Sequence, residues 1–206
     1  MSETPVTPTV TPAPVAPPSG GIADPAPLGL AGFAMTTFIL SFVNADIISE
    51  KGSGDVVLGL ALFYGGIAQF LAGMWEYRRG NTFGATAFSS FGAFWLSYWA
   101  IVHFGTGGDA YKTVGLYLFA WFVFTGYMTV AALRTNGAVL AVFVLLTITF
   151  LFLAIGAWQN AATPPAAFTR IGGWLGIATA VAAWYASFAS VVNETHKRQW
   201  FPTWPR

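Results

Sequence analysis

Residues 24–30, Asp24-Pro25-Ala26-Pro27-Leu28-Gly29-Leu30, join a proline-rich polar tail to a long apolar run. Aspartate accepts hydrogen bonds from free N–H groups at a helix start, and proline is tolerated in the first turn because its missing N–H needs no partner there. Ala26 precedes a proline and so disfavours helical geometry, which leaves Asp24 and Ala26 as alternative starts. The apolar run, 28–48, has the length of about 20 residues that an α-helix needs to cross a bilayer. This stretch therefore predicts the start of a membrane helix.

The composition of the whole chain agrees with a membrane protein. Of its 206 residues, 55% are hydrophobic and only 8% are charged, whereas a soluble domain carries about 25% charged residues. The net charge of +1 argues against a nucleic-acid-binding surface, which needs clustered Lys and Arg. The chain has no cysteine, so neither a disulfide framework nor a thiolate metal site is expected. We predict a multi-pass protein of the plasma membrane with no cofactor and no metal.

Six apolar runs, separated by polar or glycine-rich breaks, predict the helices. They cover 28–48, 55–76, 83–103, 112–133, 138–158 and 171–192. The predicted fold class is all-α, a bundle of six transmembrane helices within residues 24–195. Residues 1–23 are rich in Pro and Thr and bury too little apolar surface to fold, which predicts a disordered tail. Residues 196–206 are expected to form a short C-terminal cytoplasmic tail.

Lys and Arg residues indicate the orientation, since cytoplasmic loops carry an excess of them. Six spans put a larger group on one side of the membrane and a smaller group on the other. The larger group is Arg78, Arg79, Arg134, Lys197, Arg198 and Arg206, and the smaller is Lys51, Lys112 and Arg170. Both termini are therefore expected in the cytoplasm.

Two absences narrow the function. Prolines occur in a span only at the edge of the first, so the helices need not be discontinuous, although glycines could still interrupt one. No ionisable side chain lies near the centre of a span, which argues against a pump with a buried carboxylate relay. His103 and His196 lack carboxylates at ligand spacing, and neither a phosphate loop nor an activated nucleophile is evident. An enzyme is not expected.

Side chains that could line a path occur on three predicted helices. In the second, Ala61, Gly65, Gln69 and Gly73 recur every four residues and share one face. Gln69 suits either a hydrogen bond between helices or a permeation path. The third carries an aromatic face of Phe91, Phe94, Trp95 and Tyr98. Such a face favours packing, but it is also compatible with a gate in a pore. In the first, the hydroxyls of Thr36, Thr37 and Ser41 could contact an anion, although such groups commonly bond their own backbone carbonyls.

Several distinctive motifs follow one another along roughly residues 24–195. They are 24–30 with Gly32-Phe33-Ala34-Met35-Thr36-Thr37, Phe63-Tyr64-Gly65-Gly66-Ile67-Ala68-Gln69, Glu76-Tyr77-Arg78-Arg79-Gly80-Asn81-Thr82-Phe83-Gly84, Thr86-Ala87-Phe88, Leu153-Ala154-Ile155-Gly156, Gly172-Gly173-Trp174 and Val192-Asn193-Glu194. In this order the motifs resemble those of the acetate uptake transporter family, which includes the succinate–acetate permeases.

The resemblance implies a six-helix protomer in a homo-hexamer, each protomer with its own path for acetate and related small carboxylates such as succinate. It implies that Phe33, Phe91 and Leu146 form the narrowest point of the pore. Residues 24–30 would form the pore mouth. Candidates for the substrate path are Thr36, Thr37, Tyr64 and Gln69.

The chain departs from the family pattern in two places. Asp24 stands where the family motif begins with Asn, and its carboxylate would compete with an anion for N–H groups at the helix start. Late in the first helix, Ser41-Phe42-Val43-Asn44 replaces a more polar run. Both differences could alter substrate preference.

The missing fixed charges suggest how a carboxylate would cross. At a dry apolar ring without a cation, a carboxylate would lose its hydration at high cost. We therefore expect passage of the protonated acid, or of an anion that keeps water and hydroxyl contacts on either side, and any proton coupling could ride on the substrate. Two alternatives stay open: a channel for a neutral solute such as urea or a short amide, and a non-transporting scaffold or sensor that recruits partners through its tail and Lys197-Arg198.

Overall fold

A computed structural model of the chain describes residues 21–49, 51–105, 110–160 and 165–205, so the prediction for residues 1–20 lies outside the described residues. Six long helices occupy these ranges: α1 (Ala26–Asn44), α2 (Gly54–Arg79), α3 (Thr82–Phe104), α4 (Ala110–Ala132), α5 (Gly137–Gln159) and α6 (Ala167–Thr195). Within the described part of the chain, the only extended pairing is a β-bridge between Asn136 and Pro205. The all-α prediction is confirmed.

Five of the six helices are long and apolar enough to cross a membrane, and α3 is not among them. Its 23 residues would span the hydrocarbon core at about 1.5 Å per residue. Polar side chains such as Ser89, Ser90 and Ser97 lower its hydropathy, however. Hydropathy therefore supports five spans where the apolar runs predict six.

The two ends of α1 follow from local backbone chemistry. The helix begins at Ala26, the later of the two predicted starts, and the Ala26 N–H donates to Asp24 Oδ1 at 3.0 Å. It ends at Asn44, four residues before the predicted boundary at 48. Just beyond that end, Asp46 has a φ of 62°, a left-handed conformation that does not continue an α-helix.

The second helix is longer than predicted. The polar sequence from Glu76 to Asn81 reads as a break, but α2 continues through Arg79 and stops where Gly80 takes a φ of 76°. Arg78 and Arg79 lie in the last turn, where their positive charge is favourable beside the free carbonyls. Glu76 is therefore a helical residue rather than a loop residue.

A π-helical turn, Phe63–Ala68, interrupts the α-helical pattern of α2 without breaking it. The turn contains Gly65 and Gly66. The interruption of the α-helical pattern therefore occurs at glycines rather than at a proline, which is the possibility that the sequence left open. Such turns occur often at functional sites. The predicted small-residue face survives the turn, since Ala61, Gly65, Gln69 and Gly73 are all buried.

Helix α1 packs against α6 and against α2; α6 also packs against α5, and α5 against α4, while α3 packs mainly against α2. The cytoplasmic tail predicted for 196–206 is ordered over its described part, residues 196–205. The Asn193 side chain accepts hydrogen bonds from the backbone N–H groups of Trp200 and Phe201 at 2.8 and 3.0 Å. The Gly137 N–H donates to the Trp204 carbonyl at 2.8 Å. This segment therefore connects the end of α6 to the start of α5.

Gly92→Ala is expected to destabilise the fold, because the backbones of α2 and α3 approach closely there. An added Cβ at Gly92 would lie 2.7 Å from the backbone nitrogen of Phe70, whereas a Cβ at Gly126 would lie 3.9 Å from its nearest neighbour, Thr147 Cγ2. We expect Gly92→Ala to lower the free energy of unfolding in detergent by about 1–3 kcal/mol. The control Gly126→Ala should leave it unchanged or slightly raised, and equal effects of the two variants would contradict the close approach.

Candidate functional site

Large cavities lie at opposite ends of the bundle, and two of them contain both charged and amide side chains close to the helix core. The first, about 450 Å³, is named here the Asp24 cavity; its polar lining includes Asp24, Glu76, Arg79, Asn81, Asn136 and Ser190. The second, about 700 Å³, is named the Asp46 cavity; its lining includes Asn44, Asp46, Lys51, Tyr98, Asn160 and Thr169. Both have charged and amide side chains in their walls, so either can hold a hydrated carboxylate.

A small apolar cavity of about 20 Å³, named the constriction, adjoins the Asp24 cavity. That volume holds about one water molecule. It shares four wall residues with the Asp24 cavity, namely Leu30, Ala87, Phe88 and Phe143. The two cavities therefore lie side by side, with the smaller one nearer the middle of the bundle.

The structure brings Phe33, Phe91 and Leu146 together in the wall of the constriction. The rings of Phe33 and Phe91 have centroids 5.8 Å apart. Phe91 also contacts four further aromatic rings, those of Trp121, Phe124, Phe143 and Phe150. The sequence placed these three residues on different helices, and the fold makes them neighbours, while their role in transport stays a prediction.

Gln69 is the only polar side chain in the wall of the constriction. It is 1% exposed, and its Oε1 has no hydrogen-bond partner. A buried amide oxygen without a donor costs about 1–3 kcal/mol, and Gln69 directly follows the π-helical turn. The π-helical turn thus comes immediately before the one polar side chain among the described residues of the constriction wall.

The other predicted path residues lie outside these three cavities. Thr36 Oγ1 donates to the Gly32 carbonyl at 2.9 Å, the backbone bonding expected of a threonine in a membrane helix. Thr37 is buried and its Oγ1 has no partner, and Tyr64 lies half-buried in the π-helical turn. The linings of the constriction and the two large cavities contain none of these three side chains.

Residues 24–30 pack against three helices. The Ser187 hydroxyl of α6 donates to the Pro27 carbonyl at 2.7 Å, and a Cβ at Gly29 would lie 2.6 Å from Phe88 of α3. Asp24 forms an ion pair with Arg79 of α2. Pro25 is buried, whereas Leu28 is exposed. Of the seven residues, Asp24, Ala26 and Leu30 line the Asp24 cavity.

The sequence did not single out Glu76, which the structure buries completely at 0% exposure. Its Oε2 accepts a hydrogen bond from Asn81 Nδ2 at 3.0 Å and lies 4.0 Å from Arg79 Nη1. Its Oε1 has no partner. A usable signal existed: Glu76 follows Gln69 by seven residues, which is two helical turns on the same face.

These features define a multi-pass helical membrane protein with an apolar constriction inside the bundle. The chain belongs to the GPR1/FUN34/yaaH family, which it matches over residues 6–205. It is 40% identical over 185 residues to the succinate-acetate/proton symporter SatP of Escherichia coli, covering 88% of this chain and 95% of that protein. The solved structure of the bacterial acetate channel SatP aligns with a TM-score of 0.80 at 40% identity, over 88% of this chain and 99% of that one.

Two fungal relatives are longer than this chain. Acetate permease A of Emericella nidulans is 39% identical over 189 residues, covering 84% of this chain and 63% of that protein. Ammonia transport outward protein 2 of Saccharomyces cerevisiae is 42% identical over 200 residues, covering 90% of this chain and 66% of that protein. The chain thus spans less than two thirds of the length of either fungal protein. The resemblance that the sequence motifs indicate is confirmed.

Gln69→Leu is expected to leave the free energy of unfolding in detergent unchanged or to raise it by about 1–3 kcal/mol, because the buried Oε1 of Gln69 makes no bond to lose. The control Asn81→Ala removes the acceptor for the Gly84 N–H at 3.1 Å, together with the bond to Glu76. Loss of such a helix cap costs about 1 kcal/mol. A loss for Gln69→Leu as large as that for Asn81→Ala would mean that Gln69 joins helices rather than lining a path.

Proposed function

We propose that this chain carries acetate and related small carboxylates across the plasma membrane, through a separate path in each protomer. The observation that carries the proposal is the wide, charged Asp24 cavity narrowing into the constriction, in a fold that aligns with an acetate channel. The route runs from the Asp24 cavity through the constriction toward the Asp46 cavity. The protein acts as a transporter or channel, not an enzyme.

Beyond the constriction, the proposed route passes buried hydroxyls on its way to the Asp46 cavity. Thr149 and Thr179 have Oγ1 atoms 3.3 Å apart, and Ser41 is buried one helix away. Ser41 and Thr149 follow Phe33 and Leu146 toward the Asp46 end of their helices, and Thr179 lies beside Thr149. Their hydroxyl oxygens offer a solute partial replacement for water.

The apolar wall of the constriction favours a neutral species. Moving a carboxylate out of water without a paired cation costs several kcal/mol or more, and the cavity wall holds no charge. Protonated acetic acid avoids that cost and can donate its O–H to the unpartnered oxygen of Gln69. The constriction therefore selects small acids in their protonated form, while the two cavities receive the anion.

Sidedness, span number and assembly complete the proposal. The helix ends around the Asp24 cavity carry most of the cationic side chains, Arg78, Arg79, Arg134, Lys197 and Arg198, which favours a cytoplasmic location for that end and for both termini. Helix α3 supplies Phe88 and Phe91 to the constriction, so it crosses the membrane with the other five. The family resemblance implies a homo-hexamer.

Uptake into proteoliposomes tests the proposal against its alternatives. Labelled acetate, succinate, lactate, urea and ammonia are compared at two pH values, with protein-free liposomes as background. We expect acetate flux that rises as the pH falls through the pKa of acetic acid. Flux of urea or ammonia without acetate would instead favour a channel for neutral solutes, a possibility that the name of the yeast relative keeps open. Absence of any flux would favour a scaffold or sensor.

Phe33→Ala is expected to widen the constriction and to reduce discrimination. The flux of succinate relative to acetate should rise about threefold or more, since one aromatic ring is worth a few kcal/mol of steric and packing free energy. The control is Phe38→Ala, because Phe38 lies on the same helix but contacts Phe42 and Trp184 away from the constriction. The measurement is competitive uptake of the two labelled acids, and equal ratios in both variants would contradict the assignment of the constriction.

Asp24→Asn is expected to raise the apparent affinity for acetate at the Asp24 cavity about threefold at low ionic strength, because it removes the carboxylate paired with Arg79. The amide oxygen can still accept from Ala26, so the helix start is kept. The control Asp55→Asn removes an exposed carboxylate at the start of α2, away from this cavity. Unchanged affinity in Asp24→Asn would leave Asp24 a purely structural residue.

A further inference from the structure

A carboxyl group that the proposed path does not yet use faces the Asp24 cavity. Glu76 lines this cavity, although it is wholly buried and lies near the end of α2. One of its oxygens accepts from Asn81, and the other has no partner. An ionised carboxylate offers about four acceptor sites, so a single donor leaves most of them unsatisfied, whereas the protonated carboxyl has no charge to bury.

The charges that line the Asp24 cavity are balanced when Glu76 is protonated. The charged side chains that line the cavity are Asp24, Glu76 and Arg79. Arg79 forms an ion pair with Asp24 and keeps its Nη1 4.0 Å from Glu76 Oε2. One cation balances one carboxylate, so the cluster is neutral when Glu76 carries a proton and has a net charge of −1 when it does not.

Glu76 stands at the wide side of the constriction. The Asp24 cavity and the constriction share four wall residues, and Gln69 lies two turns along the same helix face. A carboxylate that enters from the Asp24 cavity therefore meets Glu76 before it meets the apolar ring of Phe33, Phe91 and Leu146. This order puts a proton donor where the substrate must lose its charge.

We infer that Glu76 is the proton-exchange group of the path, an inference that rests on the proposed carboxylate transport. The Glu76 O–H bond breaks as an O–H bond forms on the substrate carboxylate, which leaves Glu76 as the carboxylate and the substrate as the neutral acid. In the opposite direction the acid leaving the constriction returns its proton to Glu76. A proton from solvent then returns Glu76 to its protonated form, and Arg79 stabilises the ionised form in the meantime.

A purely structural role for Glu76 makes a different prediction. Asn81 bridges Glu76 to the start of α3, since its Oδ1 accepts from the Gly84 N–H. A Cβ at Gly84 would lie 2.8 Å from the Glu76 carboxyl carbon, so this corner is tightly packed. Glu76→Gln keeps the shape and an oxygen that accepts from Asn81 but cannot exchange the proton, so it separates the two roles.

The experiment measures labelled acetate uptake by the full chain in proteoliposomes at about pH 5 and about pH 7, after subtraction of protein-free liposomes. At the lower pH, solvent supplies much of the substrate as neutral acid, and at the higher pH it does not. We expect Glu76→Gln to match the wild type within about twofold at the lower pH and to fall at least about tenfold below it at the higher pH. Glu76→Asp, which keeps a carboxyl, should recover part of the flux at the higher pH.

The control is Glu194→Gln, which removes an exposed carboxyl at the same end of the bundle and should transport like the wild type at both pH values. Wild-type behaviour of Glu76→Gln at both pH values would overturn the inference. An equal loss at both pH values, in Glu76→Asp as well, would assign Glu76 a structural role and also overturn it. Absence of acetate flux in the wild type would overturn the proposed transport itself, and is distinguishable because it appears before any substitution.

Discussion

Lipid offers the chain no hydrogen bonds, and the rest of the structure follows from that constraint. Each spanning segment is helical, so its backbone groups pair within the segment. Hydroxyl side chains bond the backbone of the preceding turn, as Thr125 does with the Trp121 carbonyl at 2.7 Å and Thr179 with the Leu175 carbonyl at 2.8 Å. Helices that cannot gain free energy by leaving water instead approach closely at small residues, as α2 and α3 do at Gly92.

Under this constraint, the polar groups that remain without partners are the informative ones. Gln69 Oε1 and Glu76 Oε1 are buried and unpaired, and both residues line cavities. A protein that needed only helix packing would gain stability by replacing such groups with apolar ones. The two residues lie two turns apart on α2. This spacing fits the proposed order of events, in which the substrate first exchanges a proton and then passes an apolar ring.

The constriction is built from aromatic contacts between helices that are distant in the chain. Phe91 contacts rings from α1, α4 and α5, including Phe33, Trp121 and Phe150. Aromatic pairs of this kind each add about 0.5–1.5 kcal/mol beyond the area they bury. The narrow point is therefore held by packing on all sides, which keeps it small without any charge.

The sequence by itself determined the helical class, the order of the helices, the signature at residues 24–30 and the identity of Phe33, Phe91 and Leu146 as candidates, because apolar run length, turn chemistry and motif order are local properties of the chain. The tertiary structure alone decided that the π-helical turn lies beside Gln69, that Thr36, Thr37 and Tyr64 stay outside the three cavities, and that the C-terminal segment is ordered. It also decided that Glu76, which reads as part of a polar loop, is a buried cavity residue. Burial depends on which elements pack around a side chain, and here Asn81 and Gly84 at the start of α3 close over a carboxyl near the end of α2.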